Sequence, residues 1–127
     1  MSTRLRVALA LPVTIGVGLA ARFLLPGAIA NFLGVALWSG LVYLLVVFVR
    51  PTIRPVTAGI VTGSISLAVE LFQLTEIPLA LAKVSVLFRL ALGTHFALDD
   101  LPGYAVGTIA AALVHFGLQR KTQPSPR

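Results

Sequence analysis

Glu70 and Gln73 are the side chains in this sequence whose setting most invites chemistry. With Thr62 and Ser66 they recur at i, i+4, i+8 and i+11, so all four share one stripe of an otherwise apolar helix. Arg22 lies earlier in the chain, and Arg89, His95, Asp99, Asp100 and Tyr104 follow. Carboxylates so placed can act as general bases, His95 as an acid or base, and Arg89 as a clamp on a phosphate. One His beside two Asp is a weak ligand set, so no metal and no other cofactor is expected. The chain has no cysteine, which removes disulfides, thiolate metal sites and cysteine nucleophiles. Glycine-rich phosphate loops and nucleophile-elbow patterns are absent as well.

Composition dictates the elements that must position these residues. Of 127 residues, 57% are hydrophobic and 11% charged, and the mean hydropathy is +0.98. A soluble domain has about a quarter of its residues charged, and a disordered chain is far less apolar. A hydrocarbon core about 30 Å thick takes roughly 20 apolar residues of helix. Four segments meet that need: 5–25, 30–49, 56–75 and 101–118. The first opens like a signal peptide, with Arg4 and Arg6 and then Gly18-Leu19-Ala20 as a small-x-small pattern. Its apolar run continues through Phe23, Leu24 and Leu25 to Pro26, so it reads as a retained span. The second stops at Arg50-Pro51, a charge followed by a helix breaker. Residues 78–92 are apolar but short, carry Lys83 and Arg89, and read as an interfacial or re-entrant helix. The expected fold is all-α: a polytopic membrane helical bundle of about four transmembrane helices plus that short helix. It forms a single membrane domain over 1–118, followed by a polar tail over 119–127.

The net charge of +6 and the pI of about 11.3 come from basic residues at the ends of apolar segments. That is the pattern of membrane topology and anionic headgroups, not of nucleic-acid binding. With the N-terminus inside, Arg4, Arg6, Arg50, Arg54, Arg120, Lys121 and Arg127 fall on the cytoplasmic side, against Arg22, Lys83 and Arg89 opposite. Both termini are therefore expected in the cytoplasm. Arg22, Asn31, Glu70, Gln73, Arg89, His95, Asp99 and Asp100 then gather in the outer leaflet. A charge at the bilayer centre costs roughly 2.5–3.5 kcal/mol on insertion scales. Glu70 is thus expected to be neutral or paired, with Arg22 and Arg89 as available partners. One of Asp99 and Asp100 fits an N-cap before Leu101-Pro102. Asp100, Tyr104, Gly107 and Ala111 share a face expected to meet the Thr62–Gln73 stripe inside the bundle. Gly59 and Gly63 are expected to permit close helix approach. Trp38 reads as packing, and His115 as an interfacial residue near the cytoplasmic end.

The run Val69-Glu70-Leu71-Phe72-Gln73-Leu74 and the block from Phe96 to Gly107 resemble the VanZ-like membrane proteins. Those proteins carry a Glu-x-x-Gln helix, then Asp-Asp and a Gly opening the last helix. The chain is more similar to a sister group of small bacterial membrane proteins, the domain-of-unknown-function family 2809. That group shows Gly-Asp-x-Leu-Trp, Glu-x-x-Gln-Leu, Arg before a Leu-Gly pair, and Phe-x-x-x-Asp-Leu-x-x-Tyr-x-x-Gly. Here these correspond to Gly34 to Trp38, Glu70 to Leu74, Arg89 with Leu92-Gly93, and Phe96 to Gly107. Pro78 fits, as does Arg22 before Pro26. Val35 departs from the pattern, standing where the group has Asp. The resemblance implies a multi-pass protein of a bacterial plasma membrane. VanZ-like proteins are associated with resistance to glycopeptide and lipoglycopeptide antibiotics at the envelope. No reaction is implied.

Three functions remain in view. The outer-leaflet cluster of Arg22, Glu70, Gln73, Arg89, His95, Asp99, Asp100 and Tyr104 could bind a polar or lipid-type headgroup, a lipid-linked precursor or an amphipathic antibiotic. Membrane lipids are the standing partners in that reading. Alternatively, Glu70 or Asp100 could serve an intramembrane lipid hydrolase or transferase. A scaffold or small transporter subunit, assembled as a homo-oligomer through Gly59, Gly63 and Gly107, is the third. The binding protein is the preferred expectation. The enzyme lacks a nucleophile constellation, and four short helices enclose little volume.

Overall fold

Prolines stand at a boundary of most of these helices. The computed structural model describes residues 2–93 and 97–122, and those residues form six helices and no strand. Helix α1 spans Thr3–Leu24, opened by the Ser2 hydroxyl, which accepts from the Leu5 N–H at 3.2 Å. Leu25 precedes Pro26, is forced out of the helical region, and ends α1. Pro26 caps α2 (Gly27–Val49), and Arg50 before Pro51 ends it in the same way. Helix α3 (Pro55–Phe72) starts on a proline, whose missing N–H would have had no helical partner there. Pro78 likewise sits in the first turn of α4 (Ile77–Val84), and Pro102 in that of α6 (Asp100–Thr122).

The stretch expected as one short helix over 78–92 is two. Ser85 is extended; its N–H closes α4 on the Leu81 carbonyl, and its hydroxyl accepts from the Leu87 N–H at 3.2 Å. That second bond opens α5 (Val86–Leu92). A serine that hydrogen-bonds the local backbone thus turns an apolar run into an elbow, which hydrophobic periodicity cannot register.

Helices α1, α2, α3 and α6 have 18 to 23 residues and are long and apolar enough to cross a bilayer. At 1.5 Å per residue they span roughly 27–35 Å. Arg4 of α1 donates to the Phe48 carbonyl at the end of α2 at 3.0 Å. Gln119 of α6 reaches the Ile53 carbonyl just before α3. One end of the bundle therefore holds the start of α1, the end of α2, the start of α3 and the end of α6. Helices α2 and α6 run parallel, with α1 and α3 against them. The opposite, loop end carries α4, α5 and the start of α6.

Helix α2 is the hub, packed on α1, α3 and α6, while α3 also packs on α6. The tightest approach is between α2 and α6. A Cβ at Gly107 would lie 2.0 Å from the Ala36 carbonyl oxygen and 2.2 Å from Ser39 Oγ. One turn earlier, a Cβ at Gly103 would lie 2.8 Å from Val35 Cγ1. The buried Ser39 hydroxyl bridges the two helices through the Ala36 carbonyl at 2.9 Å and the Tyr104 carbonyl at 3.2 Å. The close approach expected at Gly59 and Gly63 does not occur. Nothing lies within 4 Å of a Cβ at Gly63, and a Cβ at Gly59 would make ordinary contact with Thr108 Cγ2 at 3.9 Å. Helix α3 turns its polar stripe inward, which leaves Gly63 exposed. Large apolar side chains such as Phe23, Leu24, Val56 and Val84 face outward, where lipid is the solvent.

Gly107→Ala is expected to lower the free energy of unfolding in micelles by about 1–3 kcal/mol through overpacking. Gly63→Ala should stay within about 0.5 kcal/mol of the parent. Reversible detergent unfolding measures both, and equal effects would remove Gly107 from the α2–α6 contact.

Candidate functional site

The polar stripe of α3 points into the bundle. Thr62 is 0% exposed, Ser66 1%, Glu70 0% and Gln73 9%. Each oxygen of the Glu70 carboxyl has a donor. Oε1 accepts from the Ala97 N–H at 2.6 Å, and Oε2 accepts from the Tyr104 hydroxyl at 2.8 Å. The Tyr104 ring packs on Trp38 of α2, with centroids 5.5 Å apart and planes tilted by 59°. Trp38 donates its indole N–H to the Ala91 carbonyl at 2.9 Å, and Gln73 donates its amide to the neighbouring Leu92 carbonyl.

Those two carbonyls belong to the last turn of α5, where a helix leaves its C=O groups without internal partners. Bundle side chains therefore cap α5, and Glu70 fixes the chain shortly beyond it. Gly93 makes the exit from α5. Its φ is +68°, and a Cβ there would fall 2.4 Å from Gln73 Nε2.

Among the sequence-predicted residues, Glu70, Gln73 and Tyr104 come together at the loop end with this capping role. Asp100 joins the same end by accepting from the Asn31 amide at 3.2 Å, which ties α6 to α2. Asp99 is exposed. His95 lies outside the described residues. Arg22 and Arg89 are exposed, and among the described residues neither makes an ion pair with Glu70. The reason is topological: α1 packs on α2, which places Arg22 away from α3, and Arg89 lines a recess between α4 and α5. That recess, of about 500 Å³, is lined by Leu79, Lys83, Val84, Ser85, Val86 and Arg89. Gln73 Oε1, Thr62 Oγ1 and Thr108 Oγ1 are buried without partners among the described residues. The described residues contain no group of three or more His, Cys, Asp or Glu placed to hold a metal ion.

Sequence reasoning missed a second polar group at the other end. The Tyr43 hydroxyl lies 2.7 Å from His115 Nδ1, and Gln119 Nε2 lies 3.1 Å from His115 Nε2. An amide nitrogen only donates, so His115 Nε2 accepts and the neutral ring carries its proton on Nδ1, donating to Tyr43. The Tyr43 hydrogen is then directed at the Pro55 carbonyl, 3.5 Å away. His115 is thereby a tie between α6, α2 and the start of α3 as well as an end residue. The i, i+4 spacing of His115 and Gln119 was the available signal. Tyr43 carried none until the parallel register of α2 and α6 was known.

A family model described as a protein of unknown function, DUF2809, matches residues 24–108, more than half of the chain. The chain belongs to this family. The matched stretch holds Asn31, Trp38, Glu70, Gln73, Arg89, Gly93, Asp100 and Tyr104, which is the whole α5-capping arrangement. Arg22, His115 and Gln119 fall outside it, while Tyr43, the partner of His115, falls inside. No curated protein and no solved structure matches the chain.

Tyr104→Phe leaves Glu70 Oε2 without its donor and is expected to cost about 1–3 kcal/mol of stability. Glu70→Ala removes both bonds and should cost more than Tyr104→Phe. A double-mutant cycle on the pair should return a coupling of about 0.5–3 kcal/mol. Additive effects would mean that the Glu70–Tyr104 bond does not form in the folded protein.

Proposed function

We propose that this chain is a bacterial plasma-membrane protein, related to the VanZ-like proteins, that binds the polar head of a lipid or other amphipathic ligand at the loop end of its bundle. One observation carries this reading. Three side chains of the bundle, Trp38, Glu70 and Gln73, are occupied in holding the backbone of α5 and the segment after it. Buried polar groups are costly in a bilayer. Here they fix in place a short apolar elbow that displays Lys83 and Arg89. The alternative enzyme would use Glu70 or Asp100 as its base; both oxygens of Glu70 already have donors, and Asp100 accepts from Asn31. The antibiotic association of VanZ-like proteins is compatible with an amphipathic ligand, and the Glu70-x-x-Gln73 and Asp99-Asp100 runs support the kinship.

The same reading places both ends of the described chain in the cytoplasm. Arg4, Arg6, Arg50, Arg54, Arg120 and Lys121 lie at the terminal end, against Arg22, Lys83 and Arg89 at the loop end. The chain is free of cysteine, so single cysteines report topology directly. In intact cells a membrane-impermeant maleimide should label Leu98→Cys and spare Thr52→Cys; the reverse pattern would invert the assignment.

Ligand binding is tested with Gly93→Ala, which displaces the exit of α5 while leaving both elbow cations in the chain. Extracted into nanodiscs, the parent is expected to retain endogenous phospholipid or added amphiphile that the variant releases, with helical circular dichroism preserved in both. Unchanged retention by a folded Gly93→Ala variant would sink the proposal.

A further inference from the structure

The elbow between α4 and α5 carries an unbalanced charge. The chain has four acidic residues, Glu70, Glu76, Asp99 and Asp100. Glu70 is buried and bonded to Tyr104 and Ala97, and Asp100 accepts from Asn31. Glu76 and Asp99 are exposed elsewhere, and none of the four lines the recess. Lys83 and Arg89 both line it, on opposite arms of the elbow. No acidic side chain lies beside the two cations in the recess, so both are open to an anion from outside the protein.

The recess also says what kind of anion fits. Its volume, about 500 Å³, exceeds that of a bare phosphate. The rest of its lining is Leu79, Ala82, Val84 and Val86, which suits a glycerol backbone and the first carbons of a chain. Ser85 sits at the hinge between the cations. Its oxygen accepts from the Leu87 N–H, which leaves the hydroxyl hydrogen free to donate. A guanidinium, an ammonium and a hydroxyl together match the unesterified oxygens of a phosphodiester. The α5 arm is pre-positioned by its caps from Trp38 and Gln73.

We infer that the α4–α5 elbow is a binding site for the headgroup of an anionic phospholipid, with Lys83 and Arg89 as the cationic ligands and Ser85 as a hydroxyl donor. This rests on the reading that the loop end takes an amphipathic ligand, and it names that ligand's class.

Native mass spectrometry of the full chain, with phosphatidylglycerol and phosphatidylcholine offered in equal amounts, tests it. The parent should retain phosphatidylglycerol preferentially, and Lys83→Gln/Arg89→Gln should reduce that preference on the order of tenfold. Both positions are exposed, so the double variant should unfold with the parent's midpoint. Arg22→Gln removes a charge from the same end but outside the recess and should keep the preference. Glycerol phosphate in excess should fail to displace the lipid. A preference that survives in the double variant, or falls equally in Arg22→Gln, overturns the site. Displacement by glycerol phosphate overturns the assignment to a lipid. Equal retention of both lipids by the parent, lost in Gly93→Ala, would overturn the anionic ligand and leave the amphipathic reading standing. Retention of neither lipid would end both.

Discussion

The carboxyl group of Glu70 has to find its partners inside the protein, because hydrocarbon offers none. It takes the hydroxyl of Tyr104 and the N–H of Ala97, and much of the loop end follows from that choice. Tyr104 can reach Glu70 only if α6 lies beside α3. Tyr104 also packs on Trp38 of α2, so the same ring requires α2 at the junction. Ala97 lies in the connection between α5 and α6, so the bond fixes where that connection leaves the short helices. A single buried acid thus links α3 to α6 and to Ala97, and through the Tyr104 ring to α2.

The α2–α6 contact shows how this arrangement fits within a bilayer. Apolar burial contributes little between helices in lipid, so close backbone approach and interhelical hydrogen bonds must carry the association. Gly103 and Gly107 let α6 approach α2 closely, and the Ser39 hydroxyl bridges the gap to the Tyr104 carbonyl. Further along the same parallel pair, Tyr43 and His115 form a second tie near the terminal end. The pair is clasped by polar contacts at both ends and by glycine contact between them. The other helices have looser demands: α1 packs on α2 and presents most of its length to lipid.

This division also explains the character of the two ends. Side chains of the long helices complete the hydrogen bonding of α5, so the elbow is held by the bundle and not by its own length. Short isolated helices are marginal without such support. Among the described residues the terminal end has no comparable appendage, and its basic residues flank the ends of the spans. The matched family region, residues 24–108, covers the capped elbow and ends before His115.

Pro26, Pro51, Pro55, Pro78 and Pro102 mark helix ends in the sequence alone, because proline restricts both itself and the residue before it, wherever the chain goes afterwards. The stripe Thr62, Ser66, Glu70 and Gln73 marks an inward face because helical spacing is local. The gathering of Glu70, Gln73, Asp100 and Tyr104 at one end follows from the alternation of spans. The partners do not follow. Spacing on α3 does not exclude Arg22 or Arg89 as the mate of Glu70, nor show that Gly103 and Gly107, rather than Gly59 and Gly63, take the close contact. It does not reveal that Ser85 breaks a short apolar run, or that Trp38 caps α5 as well as packing. The existence of the four long helices and their polar faces depends on neighbours along the chain, so the order of the amino acids is enough to settle them, which the break at Ser85 escapes. Which polar group meets which depends on the order and register in which α1, α2, α3 and α6 stand beside one another, and that is settled only when the bundle assembles.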